Sequence, residues 1–407
     1  MKLKDKIYSP SVHVVMFGLL LVFTPFIMLQ YYLQSSIKEL SNFKISLFDL
    51  QLPLMFTIAA AFFVVFLIVF RKKITIYRTV GVSVCIAMIA LSQKISDYYM
   101  GNPFYDLQNN WHYIAYAIFA ILMFRMLKTR GKKAGYIVPT TYFSAITLST
   151  FDEGFQFFLS SRVFDIGDIA KDGWGVIIGL ILCFFVFEEG RFLRKTGWRI
   201  VQRRIRDYLT NPLSFMFLAT IFNLFFLIYG SLLSDLRYVG TAMIFLFASS
   251  AVVFILVHLT QYKFFRRTLA GIILLAIISL FISYTIYHKE NIVHNSFGLT
   301  VYKGIPIPYF DIMIFPGGGF RLVDKKLYFF PGDKTSIFEH KSDIVIIGTG
   351  AQGRGGGGFG TEVSAFAYNP ITNRCSQIII LPNKIACEVF NRLKEERKNV
   401  LFIIHNT

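Results

Sequence analysis

The stretch "GIILLAIISLFISYTIYHKENIVHNSFGLTVY", residues 271 to 302, divides the chain into two kinds of polypeptide. Up to Tyr287 it is nearly unbroken hydrocarbon, and a crossing of the bilayer core takes about 20 such residues. After His288 polar and charged residues return, followed by the strand-like run "GLTVY". This change predicts a helical membrane region ending at residue 287 and a soluble domain over 288–407.

The composition of the whole chain agrees. Of its 407 residues 55% are hydrophobic and 16% charged, whereas a soluble domain carries about 25% charged residues. Candidate spans are 11–33, 52–70, 75–92, 112–127, 136–151, 174–187, 212–233, 238–259 and 268–287. "MKLKDK" before the first resembles a signal-peptide n-region, but the long apolar run lacks a small-x-small cleavage site and reads as an uncleaved anchor. The expected fold is therefore a polytopic α-helical membrane protein of about nine spans with a C-terminal soluble α+β (β/β/α) domain. Its segments are an anchor span and loop (1–50), a transmembrane region (51–190), a basic interfacial helix with three further spans (191–287) and the soluble domain (288–407).

A net charge of +18 raises nucleic acid as a partner, but the basic residues sit in short segments between apolar runs. They are Arg71–Lys73, Lys128 to Lys133, Lys263 to Arg267 and, densest, "RFLRKTGWRIVQRRIR" at 191–206. Basic residues beside spans face anionic lipid on the cytoplasmic side. With the N-terminus cytoplasmic, nine spans place these segments on one side and the nearly neutral loops 34–51, 93–111, 152–173 and 234–237 on the other. The C-terminal domain then lies outside the cytoplasm; eight spans would reverse it. Within 191–209 the apolar residues Leu193, Trp198, Val201, Ile205 and Tyr208 recur at helical spacing, which predicts one helix in the headgroup layer.

The stretch richest in chemistry is "STFDEGFQFFLSSRVFDIGDIAKDGWGVIIG", residues 149 to 179. Asp152, Glu153, Gln156, Arg162, Asp165, Asp168 and Asp172 crowd a junction between spans, where ionisable side chains are costly and mark a functional site by default. Asp152 with Gln156, and Asp168 with Asp172, are four apart and share a helix face. Gly175 and Gly179 make a small-residue stripe suited to close helix packing. His112 opens another span at the same level and could join the cluster as a proton carrier; an interfacial His bonded to a neighbouring loop is the plainer reading.

In order, Asp152-Glu153, Gln156, Arg162, Asp168, Gly175 and Gly179, with the upstream His112 and Tyr116, resemble the signature of the VanZ-like family of membrane proteins. Asp172 stands where that family usually carries Asn. The resemblance implies a cell-envelope location in a bacterial cytoplasmic membrane and, in some members, glycopeptide-antibiotic resistance; it supplies no settled reaction. Three readings of the cluster stand beside it. Asp152, Glu153, Arg162 and Asp168 could perform acid–base chemistry on a lipid-linked or cell-wall substrate. They could bind a polar headgroup or glycan. Or Arg162 could neutralise carboxylates that glue two helices.

The tail carries strand-like runs "GLTVY", "FDIMIF", "KLYFF", "DIVIIG", "EVSAFAY", "SQIIIL" and "NVLFIIH", with one helix in "LPNKIACEVFNRLKEERK". "FGLTVYKG", "YFDIMIFPGG", the "GTG" after a buried strand, Ala386, Phe390, Asn391 and the closing His405 resemble a small β/β/α family that includes a mitochondrial complex I assembly factor. That likeness implies scaffolding or protein binding. Gly348, Gly350 and Gly353 have dinucleotide-turn spacing, but "RGGGGFG" follows where a helix is needed. No NAD, FAD, other cofactor or metal is expected, and the turn reads as a loop whose backbone N–H groups contact an anion or a partner's carboxylate. Cys375 and Cys387 could pair in an oxidising compartment. The expected partners are membrane lipid, a lipid-linked or cell-wall glycan and a protein at the tail, with no nucleic acid.

Overall fold

A computed structural model describes residues 9–27, 35–37, 39–40, 43–47, 50–54, 57–58, 60–61, 64–65, 68, 71–96, 107–156, 165–233, 239–308, 310–323, 342–351, 363–369 and 374–406. The described residues form two compact units, one up to Lys263 and the other from Phe264 on.

The first unit is built round helix α5, Ile166–Ile181, whose helices in chain order are α1 (Pro10–Ile27), α2 (Ile76–Ser96), α3 (Leu107–Thr129), α4 (Ala134–Gln156), α5, α6 (Arg191–Thr196), α7 (Ile205–Thr210), α8 (Pro212–Leu233) and α9 (Val239–Leu259). Asp165 starts α5: its backbone is extended and its carboxylate accepts from the N–H of Gly167 at 2.8 Å, the usual way an N-cap satisfies an orphan donor. Six π-helical residues, Leu182–Phe187, extend it. Every residue from Asp172 to Ile181 is buried, so α5 is covered all round, by α2, α3, α4 and α8.

Glycines set how closely those neighbours come. A Cβ at Gly179 would stand 2.5 Å from the carbonyl oxygen of Ala117, and one at Gly175 would stand 2.9 Å from that of Tyr113, both on α3. Gly173 lies against Asn223 of α8, and Gly230 of α8 lies 2.9 Å, Cβ to Cα, from Gly167. The matching of 113 with 175 and 117 with 179 makes α3 parallel to α5. Trp174 donates to the Met88 carbonyl at 2.9 Å while Gly81 meets Phe185, so α2 runs antiparallel.

Among the described residues four helices are long and apolar enough to cross a membrane: Ile166–Phe187, Pro212–Gly230, Val239–Leu259 and Lys263–Tyr287. The expectation of about nine is not supported: among the described residues the number is four. The candidates at 112–127 and 136–151 do form helices, α3 and α4, but Arg125 in one and Asp152 and Glu153 in the other dilute their apolar character. Pro10–Thr24 and Ile76–Ser92 are shorter apolar helices, and the candidate at 52–70 lies largely outside the described residues. The single helix expected over 191–209 is also corrected. Gly197 at φ +71° ends α6, and helix resumes only at Ile205. The loop 34–51 contributes one strand of a hairpin, β1 (Lys44–Leu47) with β2 (Leu50–Pro53).

The second unit holds α10, Lys263–Tyr287, and the β-rich region. Strands β3 (Ile292–Ser296), β4 (Leu299–Tyr302) and β5 (Ile305–Pro308) form a meander. Lys303 and Gly304, both at positive φ, make its second turn in the manner of a type I′ hairpin. Gly304 is needed there twice over, because the backbone of Ser283 on α10 occupies the space a Cβ would fill. The two prolines of β5 fall on the edge strand, where missing N–H groups cost nothing.

Strands β6 (Asp311–Ile314), β7 (Phe320–Val323), β8 (Ile344–Gly348), β9 (Val363–Asn369), β10 (Arg374–Leu381) and β11 (Val400–Ile404) form a sheet in the order β7-β6-β11-β8-β10-β9. The central three are parallel and the outer strands antiparallel. Helix α11, Asn383–Glu395, connects β10 to β11, and its Ala386, Cys387 and Phe390 pack on Ile346, Phe402 and Ile404. The opposite face gathers Met313, Val345, Ile347, Leu401 and Ile403. Burial on both faces is why β8 reads as a continuous apolar run rather than an alternating one. The run "KLYFF" lies outside the described residues.

Substituting Gly179 by Val should destabilise the first unit by about 1–3 kcal/mol through overpacking, seen as a lower midpoint of thermal unfolding in detergent. Gly271→Ala on α10, where nothing lies within 4 Å of the new Cβ, should leave that midpoint unchanged or raised.

Candidate functional site

At one pole of the first unit the start of α3, the end of α4 and the start of α5 meet. His112 Nδ1 lies 2.9 Å from Asp172 Oδ1, and its Nε2 lies 3.7 Å from Asp168 Oδ2. One imidazole thus spans two carboxylates a helical turn apart, hydrogen-bonded to Asp172 and within ion-pair distance of Asp168. Ser149 of α4 donates to the other Asp172 oxygen at 2.6 Å, and Lys171 pairs with Asp168 at 2.8 Å. The Asp172 side chain is 1% exposed, a position a carboxylate holds only when paired and hydrogen-bonded.

Beside this knot stands a second one. Glu153, buried, accepts from Gln156 Nε2 at 2.7 Å and from the backbone N–H of Asp165 at 3.1 Å. Glu153 therefore ties the end of α4 to the cap of α5. Asp152 is buried next to it. Of the residues expected from the sequence, His112, Asp168 and Asp172 come together in one knot, and Glu153, Gln156 and Asp165 in the other. Arg162 lies outside the described residues.

Three participants were not picked out from the sequence. Lys171 is the described cation on Asp168; its position three residues on, inside an apolar helix, was the available signal. Ser149 had no signal of its own. Asn223 is the lone amide of an apolar span, "SFMFLATIFNLFFLIYG", and such side chains bond across helices. It accepts from the Tyr142 hydroxyl at 2.6 Å and donates to the Ala170 carbonyl at 3.0 Å, locking α8 and α4 onto α5.

The opposite pole is basic. Arg78 pairs with Glu189 at 2.6 Å, Lys128 with Glu188, and Arg130 donates to Ser11 at 2.8 Å. The unit is thus polarised, with Asp165, Asp168 and Asp172 at the start of α5 and Arg78, Lys128 and Arg130 together with Glu188 and Glu189 at the other end.

In the second unit the glycine turn proves to be occupied from within. Gly350, at φ +91°, donates its N–H to Asn383 Oδ1 at 3.0 Å, and the Thr349 N–H goes to the Leu381 carbonyl at 2.9 Å. A Cβ at Gly348 would run into Asn383. The amides proposed for an anion at Thr349 and Gly350 therefore serve the fold; Gly353 lies outside the described residues. A buried network adjoins the turn: His405 Nδ1 is 2.6 Å from Asp311 Oδ2, and Asn406 bonds Asp311, Thr300 and the Ile307 and Phe310 carbonyls. It pins the last residues to the meander. No group of His, Cys, Asp or Glu among the described residues has metal-binding geometry.

Cys375 and Cys387 are both free, the first exposed and the second buried; burial pushes the Cys387 thiol up to about 12. A maleimide should label Cys375 in the folded protein and Cys387 only after denaturation, as mass spectrometry of the modified peptides will show. At the acidic pole, His112→Gln should cost about 3 kcal/mol by leaving Asp172 buried without its partner. Combining it with Asp172→Asn should cost less than the two single changes summed, measured as a double-mutant cycle of unfolding free energies. No family model matches the chain, and no curated protein or solved structure matches it either.

Proposed function

We propose that the chain is a VanZ-like integral membrane protein of the cell envelope, which binds a polar ligand at its acidic pole without transforming it. The ligand class is a lipid headgroup or a lipid-linked or cell-wall glycan, and the β-rich unit is a tethered module for a protein partner. In this reading the N-terminus is cytoplasmic and the β-rich unit lies outside.

The observation that carries the reading is the state of the carboxylates. Asp172 and Asp168 are held by His112, Ser149 and Lys171, and Glu153 by Gln156 and the Asp165 backbone. Groups so engaged form a fixed, oriented array of charge, which suits recognition; a catalytic acid or base needs a lone pair or proton within reach of substrate. The alternative is a membrane-embedded enzyme using Asp152, Glu153, Arg162 and Asp168 on a lipid-linked or cell-wall substrate. It draws on the burial of two adjacent carboxylates, Asp152 and Glu153, the setting in which acid–base groups are tuned.

The test is to purify the full chain from envelope membranes and identify co-purifying lipid-linked glycans by mass spectrometry, for wild type, Asp168→Asn and Glu153→Gln. Folded variants that lose the glycan while envelope-lipid turnover stays unchanged are expected. Undiminished co-purification overturns the binding reading, and turnover of a labelled envelope lipid that stops in Glu153→Gln establishes the enzyme. Orientation is read separately from a cysteine placed at Asn295 in a Cys375→Ser background. It should react with an impermeant reagent added outside the cell; labelling from the cytoplasmic side alone sinks the proposed orientation.

A further inference from the structure

The segment between the apolar helices Ile166–Phe187 and Pro212–Gly230 holds seven basic residues between 191 and 206, all exposed, and no acidic one. Its backbone is not a loose tether. Phe192 and Leu193 are buried, Trp198 stacks on Tyr77 with ring centroids 6.3 Å apart, and Tyr208 is buried and bonds His258 at 3.0 Å. Gln202 donates to Ser214 at 2.8 Å and to the Arg199 carbonyl at 3.1 Å. The turn at Gly197, φ +71°, bends the segment so that it returns to the start of α8. The result is a strap fastened at four places across the basic pole.

Between those fastenings, cations and apolar groups project together. Arg199, Arg203 and Arg204 alternate with Ile200, Ile205 and, further on, Leu209, all exposed. Of the nearby carboxylates Glu188 is engaged by Lys128 and Glu189 by Arg78, and Asp207, the one acidic residue of the strap, pairs with Arg206 at 3.8 Å. A surface that pairs guanidinium groups with exposed isoleucine and tryptophan, at the ends of two apolar helices, matches the boundary where phosphates lie above acyl chains. Nucleic acid would satisfy the cations but leave Ile200, Ile205 and Leu209 in water.

We infer that the strap over residues 191–209 is a binding surface for anionic phospholipid headgroups, which it selects over zwitterionic ones. The inference rests on the membrane reading of the apolar helices. Its selectivity comes from the net charge of the headgroup, because the choline cation of a zwitterionic lipid cancels the attraction that an anionic lipid feels toward the basic strap, and its apolar residues set the depth at which the strap lies.

The experiment uses the full chain in detergent, titrated with short-chain phosphatidylglycerol or phosphatidylcholine, with bound lipid counted by native mass spectrometry. Phosphatidylglycerol should bind more tightly, and added salt should weaken it. Each basic residue at an anionic surface is worth about fivefold in affinity, so Arg199→Gln, Arg203→Gln and Arg204→Gln together should lose on the order of 100-fold. The matching triple change to Lys should keep phosphatidylglycerol binding within about fivefold of wild type. Equal binding of the two lipids by wild type overturns the inference, as does undiminished phosphatidylglycerol binding by the Gln variant. If the Gln variant does not fold, the lipid preference of wild type and its salt dependence decide. A protein that stays monodisperse in water without detergent overturns the membrane reading as well, whereas a detergent-dependent protein without lipid preference overturns this inference alone.

Discussion

The close contact of α3 with α5 is the constraint on which the rest of the helical unit depends. Gly175 and Gly179 give α5 a face without side chains, and the backbone of α3 from His112 to Ala117 lies directly on it. Where two backbones come this close, van der Waals contact and the hydrogen bonds it permits add to the cohesion that side-chain burial supplies. The same contact delivers His112 to Asp172 and Asp168. A wider separation would leave the buried Asp172 carboxylate without its partner, which costs several kcal/mol. Packing and electrostatics are therefore one device here: the glycines allow the approach, and the ion pairs require it.

The polarity of the unit follows from the same arrangement. Because α3 and α5 run parallel while α2, α4 and α8 run against them, the charges at the helix ends collect in two groups. The beginning of α5 gathers carboxylates, which also suit the positive end of its dipole, and the far end gathers cations. Between the groups, Trp174, Asn223 and Tyr142 satisfy their own polar atoms inside the bundle. The middle is thus apolar in contact with its neighbours, with these three side chains hydrogen-bonded across it.

The β-rich unit solves a different problem, that of burying polar side chains directly after a central strand. His405 and Asn406 follow the central strand β11 and are buried. Asp311, Thr300 and the Ile307 and Phe310 carbonyls take up their polar groups, while Asn383 bridges the His405 carbonyl and the glycine turn. The resemblance of that turn to a dinucleotide fingerprint is accounted for by this bridge: the glycines make room for an asparagine of the same domain. Helix α11 starts beside the turn, yet the amide that a phosphate would need at Gly350 is already engaged.

By itself the sequence determined that the chain changes character near residue 287, where apolar helices lie, that the tail combines strands with one helix, and which acidic residues crowd positions 149–179. These are properties of composition and short-range period, and burial acts on them residue by residue. The count of membrane-long helices was overstated because apolar content alone does not separate a span from a helix that packs inside a bundle. The interfacial segment was read as one helix because its apolar spacing is helical, whereas Gly197 breaks it. The tertiary structure alone decided which groups meet: His112 with Asp172 sixty residues on, Ser149 with the same carboxylate, Asn223 with Ala170, Asn383 with Gly350. Such pairings depend on how near two backbones come and how their faces are turned, and no local pattern encodes a distance between segments far apart in the chain.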